Sequence, residues 1–168
     1  MKKFLSLILT IALLSSCDVN TDPIEITAST TIVESVSINI PQSSTSVNFD
    51  DTINQDLNDV FTNLNSATAI NIDALSYKYT NASGNSGATI SSATLVINGI
   101  TVATITDVNI TQASDAGTVF TITDTAILDQ IESLLLNTSS VTIQFSGSVN
   151  DGPIQFDVQV TAALTASV

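Results

Sequence analysis

Few side chains in this sequence could carry chemistry. Its 168 residues include no histidine, no tryptophan, no arginine, one cysteine (Cys17) and three lysines, against 16 carboxylates. Four of those carboxylates, Asp50, Asp51, Asp56 and Asp59, fall close together. Hard carboxylate oxygens suit calcium, so these four are the weak metal candidates. The run nevertheless lacks the spaced acidic loop with a central glycine. Asp51, Gln55 and Asp59 read more simply as the wet face of a helix. Tyr77-Lys78-Tyr79 is the one aromatic and cationic cluster. A period of two turns both tyrosines to the face of Leu75 and Lys78 to the other, which reads as core plus a solvent-facing guard.

General acid–base and nucleophilic catalysis need groups that exchange protons or attack near neutral pH. Without histidine, triads, Cys-His pairs and histidine-bearing zinc sites cannot be built. Only six glycines are present, and none forms a phosphate-binding loop. Paired carboxylates could in principle hydrolyse glycosides, but two tyrosines and no tryptophan offer little platform for sugar rings. The expectation is a protein that is not an enzyme and has no cofactor. Lys2 and Lys3 lie at the very start, so beyond them Lys78 alone faces all 16 carboxylates. Such a surface repels phosphate backbones, which excludes nucleic acid as a partner.

Residues 1–16 read MKKFLSLILTIALLSS: two lysines, an apolar stretch from Phe4 to Leu14, then two serines. An apolar core of about eleven residues is too short to span a bilayer, which takes roughly twenty, and has the length of a cleavable signal. Leu14-Ser15-Ser16-Cys17 resembles the lipobox of bacterial lipoproteins, an aliphatic residue and two small residues before a cysteine. The resemblance covers the first seventeen residues. It implies that Cys17 is lipidated, that the signal is cut before it, and that the chain is exported and held on a membrane. Two acyl chains suffice for durable anchoring, at about 0.8 kcal/mol per buried methylene. Residues 17–29 are polar and acidic and read as a tether. The Asn/Thr/Ser-rich, arginine-free style resembles Bacteroidota-type envelope lipoproteins, which implies the outer membrane, on its periplasmic or surface face.

Ser, Thr and Asn make up over a third of the chain, while only 11% is charged. Thr, Val and Ile favour strands, and the usual surface helix formers are scarce. Alternation of period two marks Ile32 to Ile40, Val47 with Phe49, and Ile70 with Ile72. It resumes on the other parity at Leu75, Tyr77 and Tyr79, which predicts a bulge near Asp73-Ala74. Asn98-Gly99 between apolar runs predicts a tight hairpin, with Val108 and Ile110 extending or following its second arm. Val119 to Ile122 is a short strand after the SDAG turn. Val141 to Val149, the turn residues 150–153, and Ile154 to Leu164 read as a long antiparallel hairpin with one buried face.

Two stripes have helical spacing. Ile53, Leu57, Val60, Phe61 and Leu64 predict a helix over residues 52–64 capped by Asp51, and Ile127, Leu128, Ile131, Leu134 and Leu135 predict one capped near Thr123 or Asp124 and ended near Asn137. Asp51-Thr52-Ile53 and Asp124-Thr125-Ala126 also resemble the O-glycosylation motif of Bacteroidota envelope proteins, which implies glycans on Thr52 and Thr125; helix capping accounts for the same residues. Residues 81–87, NASGNSG, form a polar and flexible loop whose Asn81, Ser83, Asn85 and Ser86 are the candidate binding residues.

The expectation is a signal over residues 1–16, a lipidated tether over 17–29 and one antiparallel β-sandwich over 30–168. The sandwich should have seven or eight strands and two short helices, immunoglobulin-like in a loose sense, with a flattened barrel as the alternative. Function is read as a membrane-anchored binding, adhesion or structural module with a protein or glycan partner. The alternative is an accessory subunit of an outer-membrane protein complex.

Overall fold

The computed structural model describes residues 27–41, 47–56, 67–138 and 140–167. The signal, Cys17, most of the tether, Asp59 and residues 57–64 of the first expected helix lie outside them. Among the described residues there are nine strands and two helices. In chain order these are β1 (Thr27–Ile40), β2 (Val47–Asp56), β3 (Ala69–Gly84), β4 (Thr89–Ile97), β5 (Ile100–Ile105), β6 (Val108–Asn109), α1 (Ile110–Asp115), β7 (Val119–Ile122), α2 (Thr125–Leu135), β8 (Ser140–Val149) and β9 (Ile154–Ser167). One sheet has the order β1-β9-β3-β7; the other has β2-β8-β4-β5, with β6 also paired to β4. All pairings are antiparallel. The architecture is a β-sandwich, and the sheets do not close into a barrel.

Alternation sets which side chains meet between the sheets. Val36, Ile38 and Ile40 of β1 stand opposite Val158, Phe156 and Ile154 of β9, and all six are buried. In β3 the register shifts between Ile72 and Ala74, so Asp73 is the expected bulge. The extra residue keeps Ile72 and Leu75, of opposite parity, both in the core. The Ile72 N–H donates to Glu132 Oε1 of α2 at 2.6 Å, which ties that helix to the bulge.

The long hairpin expected over residues 141–164 does not form. β8 and β9 lie in different sheets and stack across the core. Alternation gives each strand a buried face, and that requirement is met whether consecutive strands pair or cross. The turn's bonds decide it. Asn150 N–H donates to Thr89 O at 3.0 Å and Asn150 Oδ1 accepts Thr89 N–H at 2.8 Å, fastening the end of β8 to β4. Asn85 N–H donates to Pro153 O at 2.7 Å, fastening the approach to β9 beside β3.

Residues 52–56 are also corrected: they continue β2 as a strand and do not start a helix. Ten residues of β2 pair in unbroken register with β8. Outward side chains complete the pairing, Thr142 Oγ1 donating to Asn54 Oδ1 at 2.6 Å and Gln144 Nε2 to Asp50 Oδ1 at 2.8 Å. Thr52 and Ile53 suit a strand, and a ladder partner outweighs a weak local stripe. Conversely, α2 follows its pattern, with Asp124 Oδ1 accepting Ala126 N–H at 3.0 Å and Ile131 and Leu135 buried. Helix α1 was not expected. Asn109 caps it through Gln112 N–H at 2.8 Å, just where Ile110 had been read as strand.

The Asn98-Gly99 turn has φ of 47° and 82°, the left-handed pair that a two-residue hairpin needs. Asn98 also joins the hairpin to β8, its Oδ1 accepting Thr142 N–H at 2.7 Å. Asn98→Val should lower stability by about 1–3 kcal/mol, since a branched side chain resists positive φ and Thr142 loses its acceptor. Thermal melting checks this, and an unchanged midpoint would contradict it.

Six aromatic rings fill the middle of the core. Tyr79, fully buried, packs edge-on against Tyr77, Phe120, Phe145 and Phe156 with centroids 5.8–6.5 Å away. Its hydroxyl is buried and has no hydrogen-bond partner among the described residues. Burial, together with the neighbouring Tyr77, raises its pKa well above 10. An unpaired buried hydroxyl costs about 1–3 kcal/mol, so Tyr79→Phe should melt at the same or a higher temperature at neutral pH. A raised folded pKa means tyrosine contributes full stability below about pH 10, which is lost as the unfolded state ionises above it. The advantage of Tyr79→Phe should therefore widen in alkaline buffer, and a lower melting point at pH 7 would contradict this.

Candidate functional site

Among the described residues, pairing order leaves one side of the sandwich uncovered. β1 and β2 are edge strands of different sheets and lie beside each other without pairing. On the opposite side, α2 touches both β3 and β5 and so spans the two sheets. An open cleft of about 420 Å³ lies between the edge strands. Ser37, Asn39 and Pro41 line one wall, Asn48, Asp50 and Asp51 the other. Phe49 contributes an apolar floor, its ring half-buried and stacked on Phe145 at a centroid distance of 5.1 Å.

Local structure explains each polar wall residue. Strand alternation keeps Asn48 and Asp50 exposed and half-buries Phe49 and Asp51. Asp50 Oδ1 is held by Gln144, and Asp51 Oδ1 accepts the Thr52 backbone N–H at 2.8 Å. Ser37 Oγ donates to Asp157 Oδ1 at 2.6 Å. The walls are therefore braced from the neighbouring strands. Amide and carboxylate groups at the rim can accept and donate hydrogen bonds while the ring below excludes water. This arrangement suits recognition of a polar partner.

Of the four acidic candidates, the three among the described residues are spread along β2. Asp50 and Asp51 lie at the cleft but on opposite faces of β2, Asp56 sits exposed at its far end, and Asp59 is outside the described residues. Among the described residues no three Asp, Glu, His or Cys side chains converge to hold an ion. Thr52 and Thr125 are both exposed, Thr52 on a strand and Thr125 in the first turn of α2. Capping accordingly accounts for Asp124-Thr125 and not for Asp51-Thr52.

The loop expected over residues 81–87 is shorter and more constrained than its composition suggested. Residues 81–84 belong to β3, with a second register shift between Thr80 and Ser83. Asn81 Nδ2 donates to Asp157 Oδ2 at 2.6 Å, Asn85 Nδ2 to Asp151 Oδ2 at 2.9 Å, and the Ser86 carbonyl accepts from Asn109 Nδ2 at 3.0 Å. Ser83 and Ser86 are exposed, while the two asparagine side chains serve the fold. Tyr77 and Tyr79 are core residues and Lys78 points to the outer face, half-buried.

A second hollow, of about 40 Å³, lies within the sandwich between Ile72, Leu75, Ile131, Leu135, Val160 and Leu164, with Glu34 and Gln55 as its polar members. At that size it holds little more than a water molecule. Glu34, the one charged residue on the inward face of β1, has its place here. Neither hollow was visible in the sequence, because each is formed by strands far apart in the chain.

Adding millimolar calcium should leave the melting temperature unchanged, since a ligand raises it only by binding the folded state. A rise of several degrees would show that the carboxylates do converge on an ion. Compared with known proteins, the sequence matches no family and no curated protein.

Proposed function

We propose that this chain is an exported bacterial lipoprotein, fixed through acyl groups on Cys17, whose β-sandwich is a non-enzymatic binding module that works through the cleft between β1 and β2. The observation that carries the anchor is Leu14-Ser15-Ser16-Cys17 in register with Lys2, Lys3 and the intervening apolar run. The sole cysteine of the chain stands at the lipidation position. Residues between Cys17 and the start of β1 at Thr27 would reach at most about 35 Å at roughly 3.3–3.6 Å per residue. A chain of that reach would stand the domain off a membrane, on our reading the bacterial outer membrane, and the edge formed by β1 and β2 would meet a protein or glycan.

The rival, an accessory subunit packed on an outer-membrane complex, calls for a continuous apolar strip. The large exposed apolar residues among those described are Val33, Val119 and Leu136. Val33 and Val119 lie on strands at opposite edges of one sheet, and Leu136 follows α2. Scattered single residues of this kind are ordinary surface. A braced polar cleft favours the binding reading. Thr52 and Thr125, both exposed, remain the positions for O-linked glycans on this reading.

Replacing the cysteine tests the anchor. Cys17→Ala should move the protein from the membrane to the soluble fraction and abolish labelling by radioactive palmitate. Retention of the variant on membranes would overturn the proposal.

A further inference from the structure

Ten residues of β2 pair on one side only among the described residues, with β8. In such an edge strand alternate N–H and C=O groups point away from the sheet, ready to pair with another chain. Edges are commonly blunted by charged side chains, lysine above all, by proline or by a bulge, and a charge of one sign guards chiefly against an edge of the same sign. β2, with the sequence VNFDDTINQD, has no lysine and no proline, and its register with β8 runs without a shift. Its only charges are negative: Asp50, Asp51 and Asp56. Opposite charges across a strand pair attract and like charges repel. Among the described residues the one lysine is Lys78, within β3, a strand of the other sheet.

We propose that β2 accepts an extended, basic segment of a different protein as an added strand, with cationic side chains against Asp50 and Asp51. The inference rests on the cleft as the working surface and names what fills it. Backbone pairing along the edge gives affinity, and side-chain chemistry gives choice. An added strand would run beside β2 over the mouth of the cleft. Its inward side chains would enter the 420 Å³ between β2 and the Ser37–Pro41 wall, above Phe49. A second copy of this chain would bring carboxylates against carboxylates, so the same charges that select a basic strand keep the protein from pairing with itself.

The test uses the full protein purified from membranes in mild detergent and a fluorescent ten-residue peptide of Lys-Lys-Thr-Thr repeats, which sets lysines on both faces of an added strand, read by anisotropy. The peptide should bind, and added salt should weaken binding. The Glu-Thr counterpart should not bind. A Lys-Thr peptide methylated at alternate backbone nitrogens keeps its charge but cannot complete the ladder, and it should not bind. Asp50→Asn with Asp51→Asn should weaken binding roughly two- to thirtyfold, at 0.2–1 kcal/mol per opposite-charge pair. Circular dichroism of that variant checks that it folds. Equal binding of the methylated peptide would reduce the effect to charge alone and overturn strand addition, as would equal binding by the double variant or no binding of the basic peptide. A photo-crosslinker placed at Asn48 in intact cells separates the two levels. If it captures a glycan, or a protein through no basic segment, the cleft stands as the working surface and the basic strand falls.

Discussion

Four residues, Asn150 to Pro153, carry the chain from β8 in one sheet to β9 in the other, and the rest of the sandwich is arranged around that crossing. Both strands are interior to their sheets. β9 pairs with β1 on one side and β3 on the other, and β8 with β2 and β4. A short covalent link between the two central strands holds the inner faces of the sheets against each other. Phe145 of β8 and Phe156 of β9 are both fully buried, and Phe49 and Tyr79 each contact both rings. Packing of this sort is what turns two sheets, each with one apolar face, into a single core.

With the centres fixed, the two sides of the sandwich differ. Helices occupy one: α2 reaches from β3 to β5, and α1 packs on β3 beside β6. Glu132 makes that side specific, because its carboxylate takes the Ile72 amide at the bulge, where regular pairing is interrupted. A buried amide without a partner would cost more than most single contacts contribute. The other side holds β1 and β2, and there the cleft remains. The candidate site therefore follows from the same strand order that puts both helices on the far side.

Much of this was legible in the sequence, and the boundary of what was legible is physical. Alternation reports which side chains face the core, so it placed the strands, the bulge at Asp73 and, through Asn98-Gly99, the β4–β5 turn. It carries no information about which strand lies beside which. That is why β8 and β9 read as a hairpin, and why the cleft, made by β1 and β2 meeting across two sheets, could not be foreseen. At residues 52–56 one stripe fitted a helix and a strand alike, and the ladder with β8 decided. Helix α1, six residues long, is too short to show a stripe at all; Asn109 as its cap was the only signal. The loop at residues 81–87 misled for a related reason, since asparagine and serine look equally polar whether they face solvent or brace a turn.

The outer faces show how a chain this poor in charge satisfies its polar side chains. Hydroxyls and amides there are bonded largely to one another across strands: Ser29 with Thr165, Thr94 with Ser146, Thr142 with Asn54. Even the carboxylates on the first sheet's face are engaged, Asp157 by Ser37 and Asn81, Asp73 by Thr165. Such a face has a weak field and few groups seeking a partner. Other carboxylates serve as caps and turn residues, as Asp124 and Asp151 do. Along β2, whose Asp50 and Asp51 are likewise hydrogen-bonded, the carboxylates lie on a strand that among the described residues pairs on one side only, next to the cleft. On the strand addition proposed above, selectivity resides at this edge, where carboxylates and backbone groups of a sheet edge coincide.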